Sequence, residues 1–379
     1  MRMKRLLIVL CLLTLVPVAG WTEPLPAGSM EERLRQLETQ QQKMEDKFSE
    51  YEAERYHTLE GKKEAGLGTA IGDHLTLSGL LEVEAYFEGV KDRDGNSDSQ
   101  SDLTLATAQL SLGVLINEML TGDLSLLYEE DETDLEVDEA AINMEYNGWF
   151  GRLGQQYVPV SPFYSHMITD PMTLEIGESR ETAVLGGYRT DLVEISLFLF
   201  NGDTEEEGGE DHVNDWGAHL TVFPGSGVEV GIGYLADLAD TDGELLDGVE
   251  EYQSQTGGMS AYVVWEFSDF GLSAEYVGAA EDFDAADLDM DGNGSGDRPT
   301  AWNTEFAWYP LSYLEFALRL EGSDEYYDMP ELQYGINASW SPMENISLGL
   351  EYLHGEFDED FSDNLDTREL VVTQLALEF

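Results

Sequence analysis

Leu75-Thr-Leu-Ser-Gly-Leu-Leu-Glu-Val-Glu-Ala-Tyr-Phe-Glu88 decides the fold class. Leu75, Leu77, Leu81, Val83, Ala85 and Phe87 fall on one side of an extended chain, and Thr76, Ser78, Leu80, Glu82, Glu84, Tyr86 and Glu88 on the other. Side chains alternate faces with period two only in a β-strand, so the stretch reads as a strand with one greasy and one ionised face. The same alternation returns along the chain. Val193, Ile195, Leu197 and Leu199 oppose Glu194, Ser196 and Phe198; Leu314, Phe316, Leu318 and Leu320 oppose Glu315, Ala317, Arg319 and Glu321; Ile346, Leu348, Leu350 and Tyr352 oppose Ser347, Gly349 and Glu351. A charge facing mid-bilayer costs about 2–4 kcal/mol, so a lipid-facing barrel wall demands this pattern.

Connections between the strands sort by length. Short ones run from Asn117–Met119 through Asn147–Gly148, Thr190–Asp191, Pro224–Gly227, Ser268–Asp269 and Pro310–Ser312 to Ser341–Glu344. Long acidic ones lie at Gly89–Ser101, Asp131–Leu135, Val160–Thr182, Gly202–Val213, Asp237–Gln255, Ala279–Pro299, Ser323–Pro330 and Phe357–Thr367. Strict alternation of eight long and seven short connections predicts about 16 antiparallel strands over residues 74–379, with both termini at one end. Aromatics such as Trp149, Trp265, Trp308 and Trp340 flank the short turns, and Trp216, Tyr234 and Tyr352 lie toward the long loops, as two interfacial girdles would. The last strand puts Val371, Thr373, Leu375, Leu377 and Phe379 on one face. Its ending resembles the signal read by the barrel-assembly machinery, with Leu375, Leu377 and Phe379 as the residues that would be read.

Ahead of the barrel the chain changes character. Arg2, Lys4 and Arg5 precede the apolar run Leu6–Val16, and Pro17–Gly20 resembles a cleavage region, so residues 1–20 read as a signal peptide. The one cysteine, Cys11, falls inside it. Within residues 29–60, Met30, Leu34, Leu37, Gln41, Met44, Phe48, Tyr51 and Arg55 keep a heptad seam. That predicts a helical coiled coil, in the periplasm if long loops face outward, through which chains could trimerise. Gly61, Gly66, Gly68 and Gly72 make residues 61–73 a linker. Trp21–Asp73 is too short and too helical for a globular plug, which argues against an energy-coupled barrel of larger size.

The net charge of −60, from 78 acidic and 18 basic residues, excludes nucleic acid as a partner. The hydrophobic share, 42%, is too high for a disordered acidic chain. No enzyme constellation appears: His-Glu-x-x-His, P-loop and nucleophile elbow are all missing. Parity places Glu82, Glu84, Glu139, Glu194, Glu229, Glu266, Glu275, Glu305, Glu315 and Glu351 in the lumen, with Arg152, Arg189 and Arg319 beside them. Such a channel would concentrate cations. The arginines read more readily as partners that stiffen the wall than as solute ligands.

Pro159–Thr182 is the long connection that is not simply acidic. It carries Pro159, Phe163, Tyr164, His166, Met167, Asp170, Pro171, Glu175, Glu178 and Arg180. Apolar and rich in proline, it is expected to fold into the pore as a constriction. Asp287, Asp289, Asp291 and Asn293 follow the start of a calcium loop, with Arg298 where the bidentate Glu belongs. No cofactor is otherwise implied, although acidic external loops could bridge Ca2+ or other divalent cations to lipopolysaccharide.

Several segments resemble the LbtU-type siderophore porin family. These are Leu77-Ser-Gly-Leu-Leu-Glu-Val-Glu-Ala85, Asp102-Leu-Thr-Leu-Ala-Thr107, Leu127-Tyr-Glu-Glu-Asp131, Leu135-Glu-Val-Asp-Glu-Ala140, Gln156-Tyr-Val-Pro159, Phe200-Asn-Gly-Asp203 and, most distinctively, Ser165-His-Met-Ile-Thr-Asp-Pro-Met-Thr-Leu-Glu-Ile-Gly-Glu-Ser-Arg180. After Tyr157-Val-Pro159 the family tends to continue Phe-Gly, where this chain has Val160-Ser161. The resemblance implies an outer-membrane barrel that passes ferric siderophores. A general cation-selective porin, and a structural barrel tethered by the coiled coil, are the competing expectations.

Overall fold

The computed structural model describes residues 69–70, 74–130, 133–202, 204–208, 212–242, 245 and 251–379. The signal segment, the heptad seam and all of the linker except Thr69–Ala70 lie outside the described residues. Sixteen antiparallel strands form the barrel: β1 Leu75–Asp92, β2 Ser97–Asn117, β3 Leu120–Glu129, β4 Thr133–Tyr146, β5 Trp149–Tyr157, β6 Arg180–Arg189, β7 Val193–Phe200 and β8 Asp215–Gly225. They continue as β9 Val228–Leu235, β10 Gly258–Phe267, β11 Phe270–Ala279, β12 Thr300–Leu311, β13 Leu314–Asp324, β14 Leu332–Met343, β15 Ile346–Glu356 and β16 Leu365–Glu378. Each pairs with its sequence neighbour, and β16 closes the ring on β1, from Leu365 opposite Asp92 to Glu378 opposite Leu80. Closure removes the open edge that a lone sheet would expose. Thr69–Ala70 adds a two-residue ladder to β1 at Thr76–Leu77. No helix among the described residues is long and apolar enough to cross a membrane.

Parity sets the two faces as the sequence predicts. Ile195, Leu197, Val230, Ile232, Leu318 and Leu350 stand exposed on the outer wall, while their chain neighbours Ser196, Glu229, Arg319 and Glu351 are buried on the inner side. Trp149, Trp265, Trp308 and Trp340 are exposed near the short turns, and Trp216, Tyr234 and Tyr352 near the long loops. Turn chemistry fixes the register. Asn147 and Gly148 both take positive φ (50° and 82°), as a two-residue hairpin turn requires. Pro224, Pro310 and Pro342 fall in the register shifts at Val222/Gly225, Trp308/Leu311 and Trp340/Met343, where the ladder has no need of their missing N–H.

One long connection is not a loop. Gly89–Ser101 was expected as an irregular acidic segment, but Gly89 pairs with Ser99 and Lys91 with Ser97, leaving only residues 93–96 as a turn. A strand pair that rises beyond the apolar band needs no greasy face, so its polar composition hides it from a periodicity reading.

At the seam the chain end is locked in place. Phe379 and Gly79 exchange backbone hydrogen bonds, Gly79 N to Phe379 O at 2.9 Å and Phe379 N to Gly79 O at 3.0 Å. A Cβ on Gly79 would lie 2.3 Å from the Phe379 ring, so glycine is what admits the terminal aromatic there.

Candidate channel and its inward segment

Residues 158–179, between β5 and β6, carry the short helix α1 Met172–Gly177 and pack on the inner side of β9–β15. Their apolar side chains explain the burial: Met172, Ile176, Leu238, Val277 and Ala301 form one cluster, with Phe163 packed against it, and Val158, Val160, Phe198 and Phe200 form another. Close approach to the wall is specific at Gly233, where a Cβ would lie 2.0 Å from the Val160 carbonyl oxygen. Ser260 Oγ donates to that same oxygen at 2.5 Å.

The inner-wall carboxylates hold the segment's main chain. Glu275 accepts from Phe163 N at 3.1 Å and from the hydroxyls of Ser161 and Thr173. His166 N donates to Glu305 at 2.6 Å, Met172 N to Glu321 at 2.9 Å, and the Ile168 and Thr169 amides to Glu351. Arg319 completes the set. Its Nε lies 2.8 Å from Glu305, and its terminal nitrogens donate to the Thr169 and Asp170 carbonyls at 2.9 and 3.0 Å. The Arg319 and Glu305 side chains are both fully buried. Ion pairing together with several hydrogen bonds offsets the desolvation of such groups, whereas either one alone would be costly.

Parity therefore locates these residues on the inner side, but their expected role as water-facing lining needs correcting. Glu275, Glu305, Arg319 and Glu351 are sealed under the inward segment. Glu229 is buried too, accepting from the Tyr262 hydroxyl at 2.9 Å. Glu321 and Asn337, whose Nδ2 donates to the His166 carbonyl at 2.8 Å, anchor the segment as well. Both lie on the inward parity, but nothing in the sequence separates a covered inner-wall residue from a wet one.

A cavity of about 1340 Å³ lies between the segment and the wall of β1–β5 and β13–β16. Glu82, Glu84, Asp102, Glu129, Glu130, Asp138, Asp170, Glu175, Glu315 and Glu378 line it, with Arg368 as the one basic side chain apart from His166 among the described residues. The inward segment contributes Ser165 to Asp170, Met172 and Glu175. His166 Nδ1 lies 2.8 Å from Glu315 and its Nε2 4.0 Å from Glu266, so the imidazole spans two wall carboxylates. Pro159 and Tyr164 are half-buried in the segment and Pro171 is buried ahead of α1. Glu178 ends the segment, its carbonyl accepting from Asp242 N at 2.8 Å.

The other two arginines expected in the lumen are paired with carboxylates. Arg152 bridges Asp123 (2.8 Å) and Glu139 (2.9 Å), and Arg189 pairs with Glu194. Arg180, read with the constriction, instead begins β6 and pairs with Glu136 and, at 3.6 Å, Asp138. The four residues of the calcium-loop reading do not form one set. Asp287 turns to the Gln253 and Ser254 amides, and the Asn293 side-chain oxygen accepts from Ser295 N. Asp289 and Asp291 meet Asp297 instead, with one oxygen of each within 4.8 Å of the others.

No family model matches the chain. A UPF0422 protein of Coxiella burnetii is 26% identical over 269 residues, covering 66% of this chain and 56% of the relative. The UPF0422 protein lpg2959 of Legionella pneumophila is 24% identical over 274 residues, covering 64% and 50%. The chain thus spans about half the length of the curated relatives it matches. Among solved structures, the outer membrane channel DcaP of Acinetobacter baumannii aligns with a TM-score of 0.58 at 19% identity, covering 80% of this chain and 97% of that one. OmpF of Salmonella typhi, solved with daunomycin, gives 0.59 at 12% identity over 82% and 100%. An anion-selective porin from Comamonas acidovorans gives 0.57 at 12% identity over 80% and 99%. The chain has the 16-strand porin fold.

Proposed function

We propose that the protein is a passive outer-membrane channel for small solutes that favours cations, narrowed by residues 158–179. One observation carries this reading: a lumen inside a closed barrel that, among the described residues, is lined by ten acidic side chains and one arginine. A narrow, low-dielectric passage lined by one sign of charge gathers counter-ions and repels co-ions. The fold alone does not choose the sign, since an anion-selective porin shares it; the acidic lining is what supports a preference for cations. Short turns face the periplasm in barrels of this class and long loops face outside, which supports an orientation with both ends of the barrel chain on the periplasmic side.

Ferric siderophores are the solute class we propose. What favours them is that the stretch most like the LbtU-type family, Ser165 to Arg180, supplies the inward segment's channel-facing residues, His166, Thr169, Asp170 and Glu175 among them. Liposomes containing the purified protein test this with defined ferric siderophores and size-matched neutral sugars. Uptake of a siderophore above the sugar supports that solute class. Equal uptake leaves a general cation-selective pore, and no uptake or conductance at all points to a purely structural barrel.

A further inference from the structure

Away from the channel, three carboxylates meet at the long-loop end. Asp215 opens β8, and Asp237 and Asp240 follow β9. One oxygen from each lies within 4.8 Å of the others, and the three residues are only 3%, 0% and 5% exposed. Donors account for part of this. Asp215 accepts from Gly202 N (3.1 Å) and Gln255 Nε2 (2.9 Å), Asp237 from Ala239 N (3.0 Å) and the Tyr252 hydroxyl, and Asp240 Oδ1 from Thr204 N (3.0 Å) and its hydroxyl (2.7 Å). The other oxygen, Asp240 Oδ2, is buried with no hydrogen-bond partner. It lies 2.1 Å from where a Cβ on Gly202 would stand, so a side chain at that position would collide with it.

Three like charges buried within one oxygen's reach of each other are unstable without a cation or protons. The group therefore gathers three carboxylates away from water and leaves one acceptor oxygen unused. All its ligand atoms are oxygens, which suits a hard cation. Oxygens around calcium sit at about 2.3–2.6 Å, so opposite ligands are about 5 Å apart, a span the observed spacing fits.

We propose that Asp215, Asp237 and Asp240 form a binding site for a hard divalent cation, calcium foremost, that ties the segment after β9 to the start of β8. The consequence reaches the channel mouth. Ser179 Oγ donates to the Asp240 carbonyl at 3.3 Å and Asp242 N to that of Glu178, so the tied segment also grips the end of the inward segment. The site does not depend on the channel reading, because it requires only the folded barrel.

Terbium is the probe, read on the full chain refolded in detergent and stripped with EDTA. Tyr252 on Asp237 and Trp216 beside Asp215 are the sensitisers. The expected result is saturable tyrosine- and tryptophan-sensitised luminescence that calcium displaces. Affinity should fall about tenfold or more in Asp240→Asn, because removing a charged ligand weakens such sites strongly. Asp289→Asn/Asp291→Asn should leave this signal in place, separating it from the cluster at Asp289, Asp291 and Asp297. Asparagine keeps the shape and relieves buried charge, so these variants should fold, as heat-modifiable migration checks; Asp237→Asn repeats the comparison independently. Wild-type affinity in both Asp240→Asn and Asp237→Asn, or no saturable signal from the folded barrel at neutral pH, would overturn the proposal.

Discussion

Arg319 reaches from the barrel wall to the main-chain oxygen of Asp170, 3.0 Å from its Nη1, while its Nε holds Glu305 at 2.8 Å. One guanidinium thus joins the inward segment to the wall. Replacing it should do two separable things. Arg319→Ala strands the buried Glu305 carboxylate, a loss of about 3–5 kcal/mol when one partner of a buried pair is removed. Arg319→Met with Glu305→Gln removes both charges and should recover most of that stability. Heat-modifiable electrophoresis of the three proteins measures the first effect. In planar bilayers both variants should give noisier openings than wild type, because the segment has lost its clamp.

The segment itself can be displaced without touching a charge. A side chain at Gly233 meets the Val160 carbonyl, with the first carbon already at 2.0 Å. Gly233→Val should cost about 1–3 kcal/mol as overpacking and shift residues 158–163 toward the lumen axis. Single-channel conductance should change in this variant. Deleting Phe163–Leu174 should raise conductance, and an unchanged value in the deletion would remove the constriction from the account.

Charge on the wall has two distinct uses, and neutralising it should reveal both. Glu82 and Glu84 face the cavity, whereas Glu275 and Glu351 hold the segment's amides. Glu82→Gln/Glu84→Gln should lower the potassium-to-chloride permeability ratio and leave thermal stability unchanged. Glu351→Gln should act on stability and channel noise far more than on selectivity. Reversal potentials in a salt gradient, paired with melting of each variant, distinguish the two groups.

The mouth should respond to pH, with a definite sign. Asp237 and Asp240 are pushed up to about 6 and about 7, principally by burial, and Glu178, packed against the same segment, up to about 7 by burial and by Asp242. A carboxyl raised in the folded state binds its proton more tightly there than in the open state. Its stabilising contribution is complete below the ordinary value near ~4 and is lost as pH rises through about 6 to 7. In EDTA, the amides of Thr204 and Ala239 should therefore open more readily at pH 8 than at pH 5, after correction for intrinsic exchange. Hydrogen exchange read by mass spectrometry checks this, and calcium should abolish the difference.

Strand alternation, the strand count and the apolar character of Pro159–Thr182 were all legible, because each is written in local spacing. Phe316, Leu318 and Leu320 announce an outer face wherever they are read. What parity cannot say is what lies on top of an inward residue. Glu82 and Glu305 carry the same local signal, yet one meets water and the other meets the amide of His166, because residues 158–179 cover only one side of the lumen. Ser97–Gln100 stayed hidden for a different reason: a polar strand above the apolar band has no period to read. Asp215, Asp237 and Asp240 come together only because β8 and β9 are neighbours. No spacing rule links residues brought together by pairing of this kind.

Selectivity of the reconstituted barrel tests the central claim most directly. The protein, placed in a planar bilayer with a potassium chloride gradient, should give discrete channels whose reversal potential moves toward the potassium equilibrium value. A silent bilayer, or a reversal potential on the chloride side, would contradict the acid-lined channel.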